Sequence, residues 1–458
     1  MRRTALLVHP WICDYAAYDF WIQPLGLLFV GGFLAGRGWQ VHLADALAGG
    51  RDPQRRRWDG TSAFLSVPLP DPLPPPPGRG PGRSYRRYGI PLAEFERRIE
   101  QIRAPDAILV SLQMTYWYPA LDQALGVLTR VHPAVPIYLG GGYATLARSH
   151  AALRPGLTAL VSSRNPLPAL TQLCGLLGED APRADEVAGL TARWSLCEEL
   201  PHAPVMTSWG CPFHCPYCAT AGTFGPWRPR SHEAILEELQ ALSCDLRAEH
   251  LACYDDALLH QAGEHFLPLA RKLVLAGLGA ERFRWHFPNA VHARWIDREV
   301  AAALRQLGAA TLWLGAESCD AGFLARTGGK VTPAEVERAL SALEAQGARP
   351  RQLGAYLLAG VPGLPDESVA RAMDRLHGLG LHIALASYSP IPGTPFFASL
   401  AAEEPRLEAD PLWQNNTRRE MDAPGRWESL RAQARDLNRR LDQDGLPDPG
   451  LGPTVSGT

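Results

Sequence analysis

Apolar positions in the first 178 residues fall into short runs separated by stretches of helical period. TALLVHP reads as a buried strand, PLGLLFVGGFLAGRG as a helix ended by Gly36 and Gly38, and WQVHLADAL as a second strand. PDAILVSLQ, PIYLGG and LTALVSS supply three further strands, with helical LDQALGVLTRV between the first two. Strands alternating with helices predict an α/β domain with a parallel, doubly wound (Rossmann-like) sheet, whose ligands lie at the C-terminal strand ends.

A second alternating block occupies 204–400. Its strand-like runs are PVMTSW, HLACYDDAL, FRWHFPNAVH, TLWLGAES, RQLGAYLLAG and HIALASYSP, with helices such as EAILEELQALS and PAEVERALSALEAQG between them. Six strands with intervening helices predict a partial (β/α)6 barrel. Ser231 is the expected N-cap of the first of these helices, with Glu233 and Glu237 in its first turns. Between the blocks, 179–203 reads as a charged linker. The proline-dense SVPLPDPLPPPPGRGPGRS at 66–84 reads as a surface loop or spacer. Residues 401–458 form a small C-terminal helical region, with helix WESLRAQARDLNRRL and a disordered tail.

Composition narrows the partners. Of 458 residues, 46% are hydrophobic and 20% charged, and the net charge of -2 gives no electrostatic case for nucleic acid. The longest apolar run, PLGLLFVGGFLAG, is shorter than the roughly 20 residues that span a bilayer. The apolar stretch of MRRTALLVHPW stops too early for a secretory signal, so a cytoplasmic location is expected. There the nine cysteines are not a disulfide framework, and a tight cluster reads as metal-binding or catalytic.

That cluster is TSWGCPFHCPYCATAG, residues 207–222, with Cys211, Cys215 and Cys218 spaced C-x3-C-x2-C. Thiolates suit zinc or iron-sulfur clusters. A structural zinc site wants a fourth ligand, and none of the other cysteines forms a second pair, although His214 lies between the ligands. A redox pair, Cys215 with Cys218, leaves Cys211 unexplained. A four-iron cluster on three thiolates leaves one iron open for a chelating small molecule.

The triad, with aromatic Tyr217 before its last cysteine, resembles the signature of the radical S-adenosylmethionine (SAM) superfamily. The resemblance implies a 4Fe-4S cluster on Cys211, Cys215 and Cys218 as metal and catalytic ligands. SAM would sit on the open iron and be cleaved reductively to a 5′-deoxyadenosyl radical. It further implies SAM contacts from Asp255 and Asp256, Asn289, Glu317 and Ser318, and Gly360 and Pro362, at successive strand ends. Lys330 reads as a solvated surface lysine, with a cofactor contact as the alternative.

With such a barrel, the N-terminal domain (1–178) resembles the cobalamin-binding domain of one branch of that superfamily, on PLGLLFVGGFLAGRGWQVHLAD, SLQMTYW and LGGGYATL. The resemblance implies cobalamin contacts from Ser111, Thr115 and Tyr143, with Gly140, Gly141 and Gly142 admitting a bulky ligand. No D-x-H-x-x-G occurs, and where relatives carry a Gly-Glu-Gly-Glu-like turn this chain reads Ser162-Ser163-Arg164-Asn165. The implied activity is methyl transfer to an unactivated carbon, fed by an external low-potential donor of the flavodoxin or ferredoxin type. A radical cyclase or rearrangement enzyme, and a non-catalytic corrinoid- or metal-binding regulator, are the alternatives. The substrate, whether small molecule, peptide or lipid, is not legible; Trp209, Phe213, His286, Trp295 and Trp413 are candidate pocket aromatics.

Overall fold

The computed structural model describes residues 2–19, 21–51, 64–74, 83–197, 200, 202–349 and 352–444. Five strands form the N-terminal sheet: β1 (Thr4–His9), β2 (Gln40–Asp45), β3 (Ala107–Ser111), β4 (Ile137–Gly140) and β5 (Ala159–Leu160). All pair in parallel in the order β2-β1-β3-β4-β5. This doubly wound order reverses direction between β1 and β3, which opens a crevice at their C-terminal ends. The strands read as unbroken apolar runs because helices cover both faces; Ala5, Leu6, Leu7 and Val8 are all fully buried.

Six more strands make the second sheet: β6 (Ala203–Val205), β7 (His250–Cys253), β8 (Arg284–Val291), β9 (Ala309–Glu317), β10 (Leu353–Ala359) and β11 (His382–Ser387). They pair in parallel in chain order, leaving β6 and β11 as edges of an open barrel. Caps set the helix starts. Ser231 Oγ accepts from Ala234 N at 3.1 Å, and Thr332 with Glu335 closes a capping box on Pro333–Ala345.

Three expectations are corrected. The proline-dense stretch is not loop throughout: Ser66–Pro68 is an edge strand beside Arg86–Tyr88, which also pairs with Ile12–Asp14. An edge tolerates Pro68 because one side of the strand needs no donor; residues 75–82 lie outside the described residues. The 179–203 stretch is no free linker, since Val187, Leu190, Ala192 and Trp194 are buried in the core shared with the barrel. Glu238 accepts from Ala192 N and Trp194 Nε1 and pairs at 2.6 Å with buried Arg230, whose guanidinium also donates to the Leu190 and Met206 carbonyls. The helix Pro424–Asp444 is present as expected, but the segment before it is a strap that ties the end of the barrel sheet to the N-terminal domain. Ser389 Oγ near β11 donates to Gln414 O, while Gln414 Oε1 accepts from Thr115 of the N-terminal domain. Asn415 Nδ2 donates to Asp14 and Tyr118 Oη to Asp410. The predicted tail lies outside the described residues. Among those described, no helix is long and apolar enough to cross a membrane.

Candidate functional site

The chain leaving β6 must turn sharply to present its cysteines at the C-terminal mouth of the barrel. Asp255, just past β7, holds that turn. Its carboxylate accepts from Thr207 N and Thr207 Oγ1, both at 2.8 Å, and from Ser208 Oγ at 2.5 Å. Gly210 then takes φ +81°, and a Cβ there would stand 2.5 Å from the Gly225 carbonyl oxygen. Only glycine admits both the conformation and the approach. Cys211 follows directly.

Cys211 and Cys215 are buried and Cys218 is exposed. Burial pushes the Cys211 thiol up to about 11 and raises Cys215 as well. Such thiols stay protonated unless a metal takes them as thiolates. Among the described residues no group of His, Cys, Asp or Glu is gathered to hold a single metal ion, the triad included, and His214 is exposed. Three soft thiolate donors fit an iron-sulfur cluster that leaves one iron open.

Polar and charged groups ring the triad. Thr220 Oγ1 lies 3.3 Å from both Cys218 Sγ and Asp256 Oδ1, tying the last cysteine to the second acid of the pair. Burial pushes the Asp256 carboxyl up to about 6, against an opposing pull from Arg164. Glu317, the last residue of β9, sits at a register irregularity with φ +60° and pairs with Lys330. A non-glycine residue held there stores backbone strain, which its ion pair and burial must offset. Lys330 is not solvated, because its side chain is only 14% exposed. Burial pulls its ammonium down, yet Glu317, Cys215 and Cys218 outweigh that and hold it above its usual value. Asn289 on β8 donates to Tyr254 O at 2.9 Å, and Ser318 Oγ accepts from Asp320 N at 3.0 Å. Tyr217 packs toward Phe396, 6.4 Å between ring centroids.

The structure separates the other expected contacts by role. Asp255 is buried beneath the turn, saturated by that loop. Gly360, with φ +72°, faces the Trp427 ring 2.7 Å from where a Cβ would be, so the C-terminal helix accounts for it; Pro362 follows in the adjoining turn. In the N-terminal domain, the glycine turn makes a close approach of the chain to itself. A Cβ on Gly142 would lie 2.1 Å from Gln113 O, and one on Gly141 2.7 Å from Leu112 O; Gly140 precedes this turn at the end of β4. Thr115 is bonded to Gln414, and Tyr143 is buried with its hydroxyl 2.6 Å from His150 Nδ1. Ser111, at the C-terminal end of β3, alone of these side chains keeps a hydroxyl without a hydrogen bond among the described residues. The crevice thus has the place of a ligand site, but Thr115 and Tyr143 do not fit as its free polar contacts.

Nor do the candidate aromatics converge. Phe213 stacks on His292 at 5.1 Å beside Trp295, close to the triad. Trp209 packs on Phe29, and Trp413 lies under Arg406. His286 sits toward the strand starts, where Trp21 stacks on it at 4.3 Å. One residue escaped the sequence reading. Arg164, in the turn after β5, crosses to the cysteine loop, its guanidinium 4.2 Å over the Phe224 ring. The only signal was its basic charge where relatives carry acids.

Residues 205–376 match the family model of the radical SAM superfamily. An uncharacterized methyltransferase of Pyrococcus horikoshii is 28% identical over 170 residues, covering 37% of this chain; the chain spans about a third (34%) of that relative's length. Among solved structures, the radical SAM methyltransferase TsrM of Kitasatospora setae, with cobalamin and a [4Fe-4S] cluster bound, superposes with TM-score 0.61 at 15% identity, over 88% of this chain and 78% of that one. The cobalamin-dependent radical SAM enzyme OxsB superposes with TM-score 0.56 at 14% identity, over 89% and 56%. At these identities the two likenesses establish a shared fold.

Proposed function

We propose, for a chain whose residues 205–376 belong to the radical SAM superfamily, that it is a cobalamin-dependent radical SAM enzyme that methylates an unactivated carbon. The observation that carries this reading is the triad itself: three cysteines at the mouth of a parallel barrel, beside a doubly wound domain whose crevice edge is strapped to that barrel. The shared fold with TsrM, a radical SAM methyltransferase with cobalamin and a [4Fe-4S] cluster bound, and with OxsB, a cobalamin-dependent radical SAM enzyme, supports it.

Cys211, Cys215 and Cys218 would hold the cluster. When bound, the cluster supplies an electron and an open coordination position for SAM, and cobalamin supplies a methyl carrier. The chain's own residues do the rest. Asp255 and Gly210 fix the loop so that the thiols are placed before any ligand arrives. Lys330 offsets negative charge gathered at the triad, while its ion pair holds the Glu317 carboxylate at the strand end. Asp256 and Asn289 are the nearest candidates for the amino end of SAM, and Glu317 with Ser318 for its ribose or methionine part. Pro362, in the turn after β10, remains the candidate for the adenine side. Ser111 is the one N-terminal polar contact retained for cobalamin, and no step is assigned through it. The packed Phe213, His292 and Trp295 rings help to exclude water from one flank. An external low-potential donor would deliver the electron.

The test is anaerobic purification with reconstitution, followed by reduction in the presence of SAM and corrinoid extraction. The reading expects 5′-deoxyadenosine and retained corrinoid. A cluster with 5′-deoxyadenosine but no corrinoid would favour radical cyclisation or rearrangement, and absence of both would leave a non-catalytic binding protein.

A further inference from the structure

Arg164 belongs to the N-terminal domain by sequence, yet its side chain ends in the barrel. The turn that carries it is fixed to the cysteine loop: Asn165 N donates to Thr223 O at 3.2 Å, and the Asn165 side chain caps the helix Pro166–Leu177. The guanidinium lies over Phe224, in the short helix Thr220–Phe224 that starts two residues beyond Cys218. Thr220, at the head of that helix, bridges Cys218 and Asp256. Arg164 is half-buried and donates no hydrogen bond among the described residues, although guanidinium carries five donors. Held over a ring beside Asp256, the guanidinium keeps its donors and its charge uncommitted to any side chain among the described residues. Burial pulls its guanidinium below the usual value, while nearby Asp256 and Cys218 act in the opposite direction. On the far side of the triad stands Lys330, already bonded to Glu317.

We propose that Arg164 is a positioning residue of the cysteine centre, an arginine lent by the N-terminal domain that sets the reduction potential of the cluster held by Cys211, Cys215 and Cys218. This rests on the functional reading above. Three thiolates and the sulfides give the centre net negative charge, and reduction adds one more. A neighbouring fixed cation stabilises the reduced form more than the oxidised one, so it raises the potential and eases electron entry.

The experiment uses the full chain, reconstituted anaerobically, with the midpoint potential read by redox titration followed by electron paramagnetic resonance. Arg164→Gln should keep the iron and sulfide content of the parent while its midpoint shifts to lower potential, and Arg164→Lys should restore most of the shift. If the Gln variant fails to fold, Arg164→Met, of similar volume and no charge, repeats the test. A midpoint unchanged in the uncharged variants, with only thermal stability lowered, would overturn the inference and leave Arg164 a structural strut. A parent protein without sulfide-bearing iron would instead sink the functional reading itself, so the two failures are distinguishable.

Discussion

The cysteine loop and the crevice of the N-terminal sheet were both nominated as ligand sites from sequence, and they have fared differently. At the loop, nominated groups meet: Cys218 and Asp256 through Thr220, with Glu317 paired to Lys330. At the crevice, two of the nominated side chains are satisfied by the chain itself, Thr115 by Gln414 and Tyr143 by His150, and Gln113 O crowds the glycine turn, leaving Ser111. The difference lies in residue chemistry. Three clustered cysteines have no structural use that simpler residues would not serve, whereas glycine, threonine and tyrosine are ordinary materials for turns, straps and packing. A motif of the first kind points to a ligand; one of the second kind needs the neighbouring chain to be seen first.

The sharpest way to break the comparison is to remove the thiols. Cys211→Ala, Cys215→Ala and Cys218→Ala should each abolish the iron-sulfur absorption and all 5′-deoxyadenosine formation while circular dichroism stays that of the parent; retained activity in any would refute the assignment. Next comes Asp255→Ala, which strips the acceptor from Thr207 and Ser208 at a buried site. It should cost about 2–3 kcal/mol in urea unfolding, and a smaller loss would mean that the turn is held by other contacts. Gly210→Ala forces a side chain into φ +81° against Gly225 O, for about 1–3 kcal/mol and reduced iron loading. The smallest effect tests the crevice. Thr115→Val should lower stability by about 1 kcal/mol through the lost bond to Gln414, with corrinoid retention unchanged; a drop in retention would return Thr115 to the ligand site.

Much of this was legible. Each strand of both sheets overlaps one of the strand-like runs, because parallel strands buried on two faces are built largely from apolar residues. Ser231 showed its cap because a serine before a periodic apolar stretch has one common use. The small antiparallel sheet escaped, since three-residue strands such as Ser66–Pro68 are too short for alternation to register. Lys330 was misread because a lone lysine carries no sign of its partner, and Glu317 meets it only once the strand end curls back. Arg164 was seen only as a departure from a pattern. Its contact with Phe224 joins residues 60 apart in the chain, which spacing cannot reveal.

The central claim, that the triad holds an open iron-sulfur cluster rather than a single metal ion, is tested most directly by counting metal and acid-labile sulfide in protein purified without oxygen and reconstituted. About four irons with a matching amount of sulfide per chain, lost together when Cys215 is replaced, is the predicted result. One tightly held zinc per chain and no sulfide would contradict it.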